Sequence, residues 1–273
     1  MKVVLLGAKG MLGFDLKEAL ADYELFAFDK DDFDIRDSKR ANNCINRIKP
    51  DVVINSAAYT DVDDCETNKK LSFNVNGYAV GNLAKICNKI NARLIHISTD
   101  YVFDGKNKKG YMESSNPSPI NTYGKSKLLG EILLKKNAKK YFLIRTSWLY
   151  GKNGENFVNN ILDKAKRVNI LHVVNDQSGC PTYTKDLAEK ISSIFVASKN
   201  YGTYHITNSG HCSWFEFAGE ILKIAKIKKK IIPISSSEIN RPALRPKVSI
   251  LLNTKVAPLR NWREALKEYL CDL

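Results

Sequence analysis

Tyr123 and Lys127 stand four positions apart at the start of a helical stretch, so a phenol and an ammonium share one face about a turn apart. An ammonium in that place favours the phenolate and lowers a phenol pKa from its reference of ~10, which predicts proton transfer near neutral pH. A Tyr-x-x-x-Lys pair arises often by chance, and its meaning depends on what else reaches the same place. Thr99 ends the apolar run Leu94 to Ser98, at the carboxyl edge of a sheet where open α/β folds bind ligands. There its hydroxyl would hold a substrate carbonyl while Tyr123 supplies a proton and a nicotinamide supplies hydride. The plainer reading of Thr99 is a strand-end residue bonded to its own backbone.

A cofactor loop is present upstream. Gly7-Ala8-Lys9-Gly10-Met11-Leu12-Gly13 lies between a first strand and a first helix, where backbone must approach a pyrophosphate closely and a Cβ would clash. The start of that helix offers free N–H donors and a positive dipole end. Asp29 ends the next strand and is placed to accept hydrogen bonds from ribose hydroxyls, which leans towards NADH. Lys30 beside it would pair with a 2′-phosphate, so NADPH stays open; Asp34 and Ile35 are candidates for the adenine pocket.

These residues need elements to hold them, and the hydrophobic pattern provides them. Strand-like Lys2 to Leu6, a helix over Leu12 to Ala21, and strand-like Glu24 to Phe28 come first. A helix over Lys39 to Ile48, the run Val52 to Ile54, a helix over Ser72 to Ile90 and the run Leu94 to Ile97 follow. This alternation predicts an α/β protein with a Rossmann-type, doubly wound parallel sheet. Gly105 to Asn121 reads as a long loop. We read residues 1–148 as a dinucleotide-binding domain and residues 149–273 as mainly a smaller C-terminal substrate lobe, with helices at about 183–198 returning to the first domain.

Composition excludes other classes. At 44% hydrophobic and 10% aromatic residues the chain is an ordinary globular enzyme by content, not a disordered one. Its apolar runs are too short to cross a bilayer, and Gly7 and Gly10 interrupt any signal-peptide core, so a cytoplasmic enzyme with no membrane partner is expected. The net charge of +14 is spread over lysines such as Lys106, Lys108, Lys109 and Lys228 to Lys230, which reads as solvated surface rather than a nucleic-acid site. The six cysteines have no metal-ligand spacing and read as reduced thiols.

Gly7 to Gly13, Asn55 to Asp63, Ser98 to Gly105, Tyr123 to Lys127, Arg145 to Gly151, Asp176 to Thr182 and Arg245 to Ser249 resemble the dTDP-4-dehydrorhamnose reductases, extended short-chain dehydrogenases, over nearly the whole chain. The resemblance implies reduction, by NADPH or NADH, of the 4-keto group of a nucleotide-linked 6-deoxyhexose, for cell-surface polysaccharide synthesis. It implies catalytic roles for Thr99, Tyr123 and Lys127, the last also holding the nicotinamide ribose. It further implies a cofactor cleft lined by Ala57, Ala58 and Thr60 with Asn76 nearby, and a sugar bordered by Tyr101 and Trp148. Some members hold Mg2+ at a dimer contact through acidic side chains, which raises a homodimer here. Asp15 falls near one such acid, yet one carboxylate on a first helix is usually surface, and no metal site is assigned.

Two other functions share these features. A dehydratase or epimerase of the same superfamily keeps the glycine loop and the Tyr/Lys pair, but a dehydratase carries Glu as its base where this chain has Tyr101. A non-catalytic, NADP-binding partner, like the regulatory subunit of methionine adenosyltransferase, would keep the fold and act through protein contacts.

Overall fold

In the first strand Val3 and Leu5 enter one hydrophobic core while Val4 and Leu6 enter another, the period-two alternation of a strand covered on both faces. The computed structural model describes residues 1–198 and 200–273. Its central sheet has six parallel strands in the order Gly202–His205, Tyr141–Thr146, Arg93–Thr99, Val52–Asn55, Lys2–Leu6, Glu24–Phe28. The chain leaves Lys2–Leu6 first to one side and then to the other. A crevice therefore opens beyond the carboxyl ends of Lys2–Leu6 and Val52–Asn55, where such sheets take their ligands.

The helices cover both faces. Ser38–Ile48 and Ala79–Lys89 pack on the Val4 side, where Ile45, Leu83 and Cys87 are fully buried. Met11–Ala19 and Thr184–Lys190 pack on the Val3 side through Leu16, Leu187 and Ala188. The first helix stops at Ala19 rather than Ala21, since Leu20 already has a non-helical backbone. The helix expected over Ser72 to Ile90 begins earlier, at Lys69, and is interrupted by a π turn at Asn74–Tyr78. At this turn the neighbouring helix, Thr122–Asn137, comes closest at Gly130, where a Cβ would sit 2.2 Å from the Asn76 carbonyl oxygen.

The C-terminal part builds a third core from Tyr150, Phe217, Trp262 and Tyr269, around the parallel pair Ile170–Val174 and Lys230–Ile234. The Gly202–His205 strand nonetheless joins the edge of the central sheet beside Tyr141–Thr146. No helix is long and apolar enough to cross a membrane among the described residues.

Candidate active site

Gly7 turns with φ +81°, and a Cβ on it would lie 2.6 Å from the Ala57 nitrogen. A Cβ on Gly13 would meet the Gly7 carbonyl oxygen at 2.0 Å. Only hydrogen at both positions lets the loop, the helix and the Val52–Asn55 strand end come this close. The helix that follows is capped by Gly10 with no side-chain hydrogen bond, so its first N–H groups stay directed at the cleft. A glycine cradle against an uncapped helix start fits a dinucleotide pyrophosphate. Asp29 holds the loop from the far side, accepting from the backbone N–H of Lys9 (2.9 Å) and of Lys30 (2.7 Å). Asp34 is paired with Arg36 at 2.5 Å, which holds its carboxyl below the ordinary range.

One cavity of about 1030 Å³ runs from this loop to the third core. Gly7, Gly10, Met11, Leu12, Gly13, Asp29, Asp34 and Ile35 line it at one end; Ala57, Ala58 and Thr60 line its wall. Thr99, Tyr101, Tyr123, Lys127 and Trp148 line the rest. Asn76 is different. It is buried behind the wall, accepting from Tyr59 N (2.8 Å) and donating to Tyr59 O (2.9 Å) and Ser126 Oγ (3.0 Å). Its amide braces the wall, and Asn76 is not among the residues that line the cavity.

Thr99 ends its strand with an extended backbone, and its Oγ1 accepts from Tyr101 N (3.2 Å) and donates to Asp100 Oδ1 (3.0 Å). The backbone-bonded reading of Thr99 is therefore realised alongside its place in the cleft. Tyr123 and Lys127 share a face of Thr122–Asn137, whose Asn121 cap accepts from Gly124 N at 2.8 Å. Lys127 Nζ donates to the Ile97 carbonyl at 2.6 Å, and burial lowers its pKa to about 8, partly countered by Glu131. Against expectation, the Tyr123 phenol is pushed well up by burial, eased by the Thr99 hydroxyl and raised further by Asp100. Desolvation is the largest influence on this phenol.

Asp100, to which the sequence analysis assigns no role, is 2% exposed beside Thr99, and its carboxyl is raised to about 7 by burial, with Ser249 and Thr99 hydroxyls acting the other way. Its direct adjacency to Thr99 was the available sign. Behind Lys127, Glu131 and Arg145 form a fully buried ion pair (Nη2 to Oε2 2.6 Å, Nε to Oε1 2.9 Å), and Ser98 Oγ donates to Glu131 at 2.6 Å. At the far end, Tyr101 meets Tyr123 edge-on with ring centres 5.8 Å apart. Arg245 clasps Asp63 through both terminal guanidinium nitrogens, Nη2 to Oδ2 at 2.6 Å.

Asp15, expected at the surface, is 5% exposed, and burial raises its carboxyl pKa. The Thr184–Lys190 helix, docked on Met11–Ala19, covers it. Among the described residues no group of three or more His, Cys, Asp or Glu side chains could hold a metal ion.

A doubly wound sheet with a glycine-cradled helix start, and a Tyr-x-x-x-Lys pair across the same cleft from it, defines a dinucleotide-binding protein of the short-chain dehydrogenase class. The profile described as "RmlD substrate binding domain" matches residues 1–273, and the chain belongs to that family. It is 42% identical over 275 residues to the spore coat polysaccharide biosynthesis protein SpsK of Bacillus subtilis, covering 98% of this chain and 96% of that one. It is 37% identical to a dTDP-4-dehydrorhamnose reductase of Aggregatibacter actinomycetemcomitans, covering 97% of each. A crystal structure of dTDP-4-dehydrorhamnose reductase from Bacillus anthracis in complex with NADP superposes with a TM-score of 0.97 at 39% identity, covering 100% of this chain and 99% of that one.

Proposed function

We propose that this chain is an NADPH- or NADH-dependent reductase of the 4-keto group of a nucleotide-linked 6-deoxyhexose, acting on dTDP-4-dehydro-L-rhamnose to give dTDP-L-rhamnose for polysaccharide synthesis. The observation that carries this is that Thr99, Tyr123 and Lys127 line one cavity with the glycine loop across it. A phenol placed there can donate its proton to the alkoxide formed when a ketone is reduced, and the ammonium one turn along the helix can steady the phenolate left behind.

In this reading Gly7, Gly10 and Gly13 admit the pyrophosphate, and Lys127 holds the nicotinamide ribose. The nicotinamide, when bound, supplies hydride to the carbonyl carbon. Thr99 Oγ1 turns its proton from Asp100 Oδ1 to orient the carbonyl oxygen, and Tyr123 delivers its own proton to that oxygen as charge builds there. Lys127 stabilises the resulting phenolate. Tyr101 and Trp148 enclose the sugar. At the adenosine end Lys9 is paired with Asp31 and Arg36 with Asp34, which leaves Lys30 beside Asp29 as the cation that supports acceptance of a 2′-phosphate. The position after Asp100, where a dehydratase would need its carboxylate base, is Tyr101, whose phenol burial also pushes well up. That favours simple reduction over dehydration.

The test is to supply freshly prepared dTDP-4-dehydro-L-rhamnose with NADPH or NADH and follow loss of the reduced-nicotinamide absorbance, with the UDP-linked sugar in parallel. Stoichiometric oxidation with formation of dTDP-L-rhamnose is expected. No oxidation with either nucleotide form overturns the proposal.

A further inference from the structure

Trp148 has a backbone φ of +47°, a left-handed conformation that a bulky side chain rarely adopts without being forced. Its ring is held from two directions. Trp214 stacks on it with ring centres 3.4 Å apart and planes within 3°. Gly179 abuts the Nε1–Cε2 side of the indole so closely that a Cβ there would lie 2.4 Å from Cε2.

The two partners are set by one piece of structure. Ser178–Gly179 pairs antiparallel with Cys212–Ser213, Gly179 opposite Cys212 and Ser178 opposite Ser213, and Trp214 follows directly as the first residue of its helix. Ser213 caps that helix in a reciprocal box: its Oγ accepts from Glu216 N (3.1 Å) and its N–H donates to Glu216 Oε2 (2.7 Å). Ser213 Oγ also donates to Asn175 Oδ1 at 2.8 Å. Phe157 packs on Trp214 with ring centres 4.4 Å apart. The ladder thus fixes the spacing of a slot, and Trp148 occupies it. Both indoles line the cavity that also contains Thr99 and Tyr123.

We infer that Trp214 is a positioning residue for sugar recognition: with Gly179 it clamps Trp148 in its left-handed conformation, so that a rigid Trp148 sets where the sugar stands relative to Tyr123. The inference rests on the reductase reading and adds a residue to it. A free Trp148 would rotate out of the left-handed region, and the sugar would lose a wall that needs no ordering on binding. The cofactor end, held by the glycine loop, would not notice.

Three measurements on the full chain test this: dissociation constants for dTDP-L-rhamnose and for NADPH by calorimetry, steady-state kinetics, and far-ultraviolet circular dichroism for the exciton couplet of the stacked indoles. Trp214→Ala should lose the couplet and weaken dTDP-L-rhamnose about tenfold or more, with KM rising more than kcat falls and NADPH affinity unchanged. Trp214→Phe keeps a stacking ring and should recover most of the affinity. Gly179→Ala, which presses on Trp148 with Trp214 intact, should reproduce the loss of sugar affinity. Equal sugar affinity in wild type and Trp214→Ala overturns the inference and leaves the reductase reading standing. Parallel loss of sugar and NADPH affinity in both variants also overturns it, showing a general collapse. A wild type that neither binds nor forms dTDP-L-rhamnose overturns the reading beneath it.

Discussion

Tyr123 and Asp100 are neighbours in the cleft that burial treats alike: each is held in its protonated form further up the pH scale than in water. For Tyr123 the consequence is chemical. Tyr123→Phe should depress kcat by about two to four orders of magnitude while leaving NADPH binding nearly intact, as measured by stopped-flow turnover and equilibrium titration. Lys127 must be charged to steady the phenolate, and its pKa of about 8 predicts that kcat/KM falls as pH rises through that value. For Asp100 the consequence is thermodynamic. Its folded-state pKa of about 7 lies above the ordinary 3.8, so the folded chain binds more protons between these values and stability falls as pH rises across them. Each unit of such a shift is worth about 1.4 kcal/mol. Asp100→Asn removes the titration, so its Tm relative to wild type should climb between about pH 4 and about pH 8. A Tm difference independent of pH would count against a buried, protonated Asp100.

The elements show what the pattern of apolar residues can and cannot convey. Lys2–Leu6 and the Val52 strand were legible because a strand buried on both faces is a short apolar run, the half-buried edge strand Glu24–Phe28 because it is apolar after its first residue, and the glycine loop because it interrupts such a run. The π turn at Asn74–Tyr78 was not, since it lies in a tertiary contact with Gly130 on another helix, more than fifty positions away. Trp148 was legible as a sugar-wall candidate by resemblance, but its partner Trp214 opens a helix that follows a separate strand pair, far along the chain. The expected phenol shift had the wrong sign because spacing reports neighbours and not solvent. Two predictions belong at this level. Gly13→Ala, whose Cβ would sit 2.0 Å from the Gly7 oxygen, should lower stability by about 1–3 kcal/mol and abolish detectable NADPH binding in titrations. Glu131→Gln leaves Arg145 charged and fully buried, and chemical denaturation should report a loss of about 3–5 kcal/mol.

At the scale of the whole molecule the two halves are laced together rather than joined at one hinge. Gly202–His205 returns to the central sheet, and Arg245 returns to clasp Asp63. The Arg245 guanidinium holds the Asp63 carboxyl below its ordinary value, so this contact contributes above the unfolded pKa and is lost as pH falls through the lower, folded one. The late return of Gly202–His205 also bears on synthesis. Until some two hundred residues have left the ribosome, Tyr141–Thr146 has no partner along one side, although Phe142, Leu143 and Ile144 are among the most buried residues of the finished protein. The nascent chain must therefore carry an apolar, unpaired sheet edge through a long interval, the kind of edge that invites pairing with another chain. Translation that stops short of Gly202 should give a product that aggregates unless a chaperone holds it.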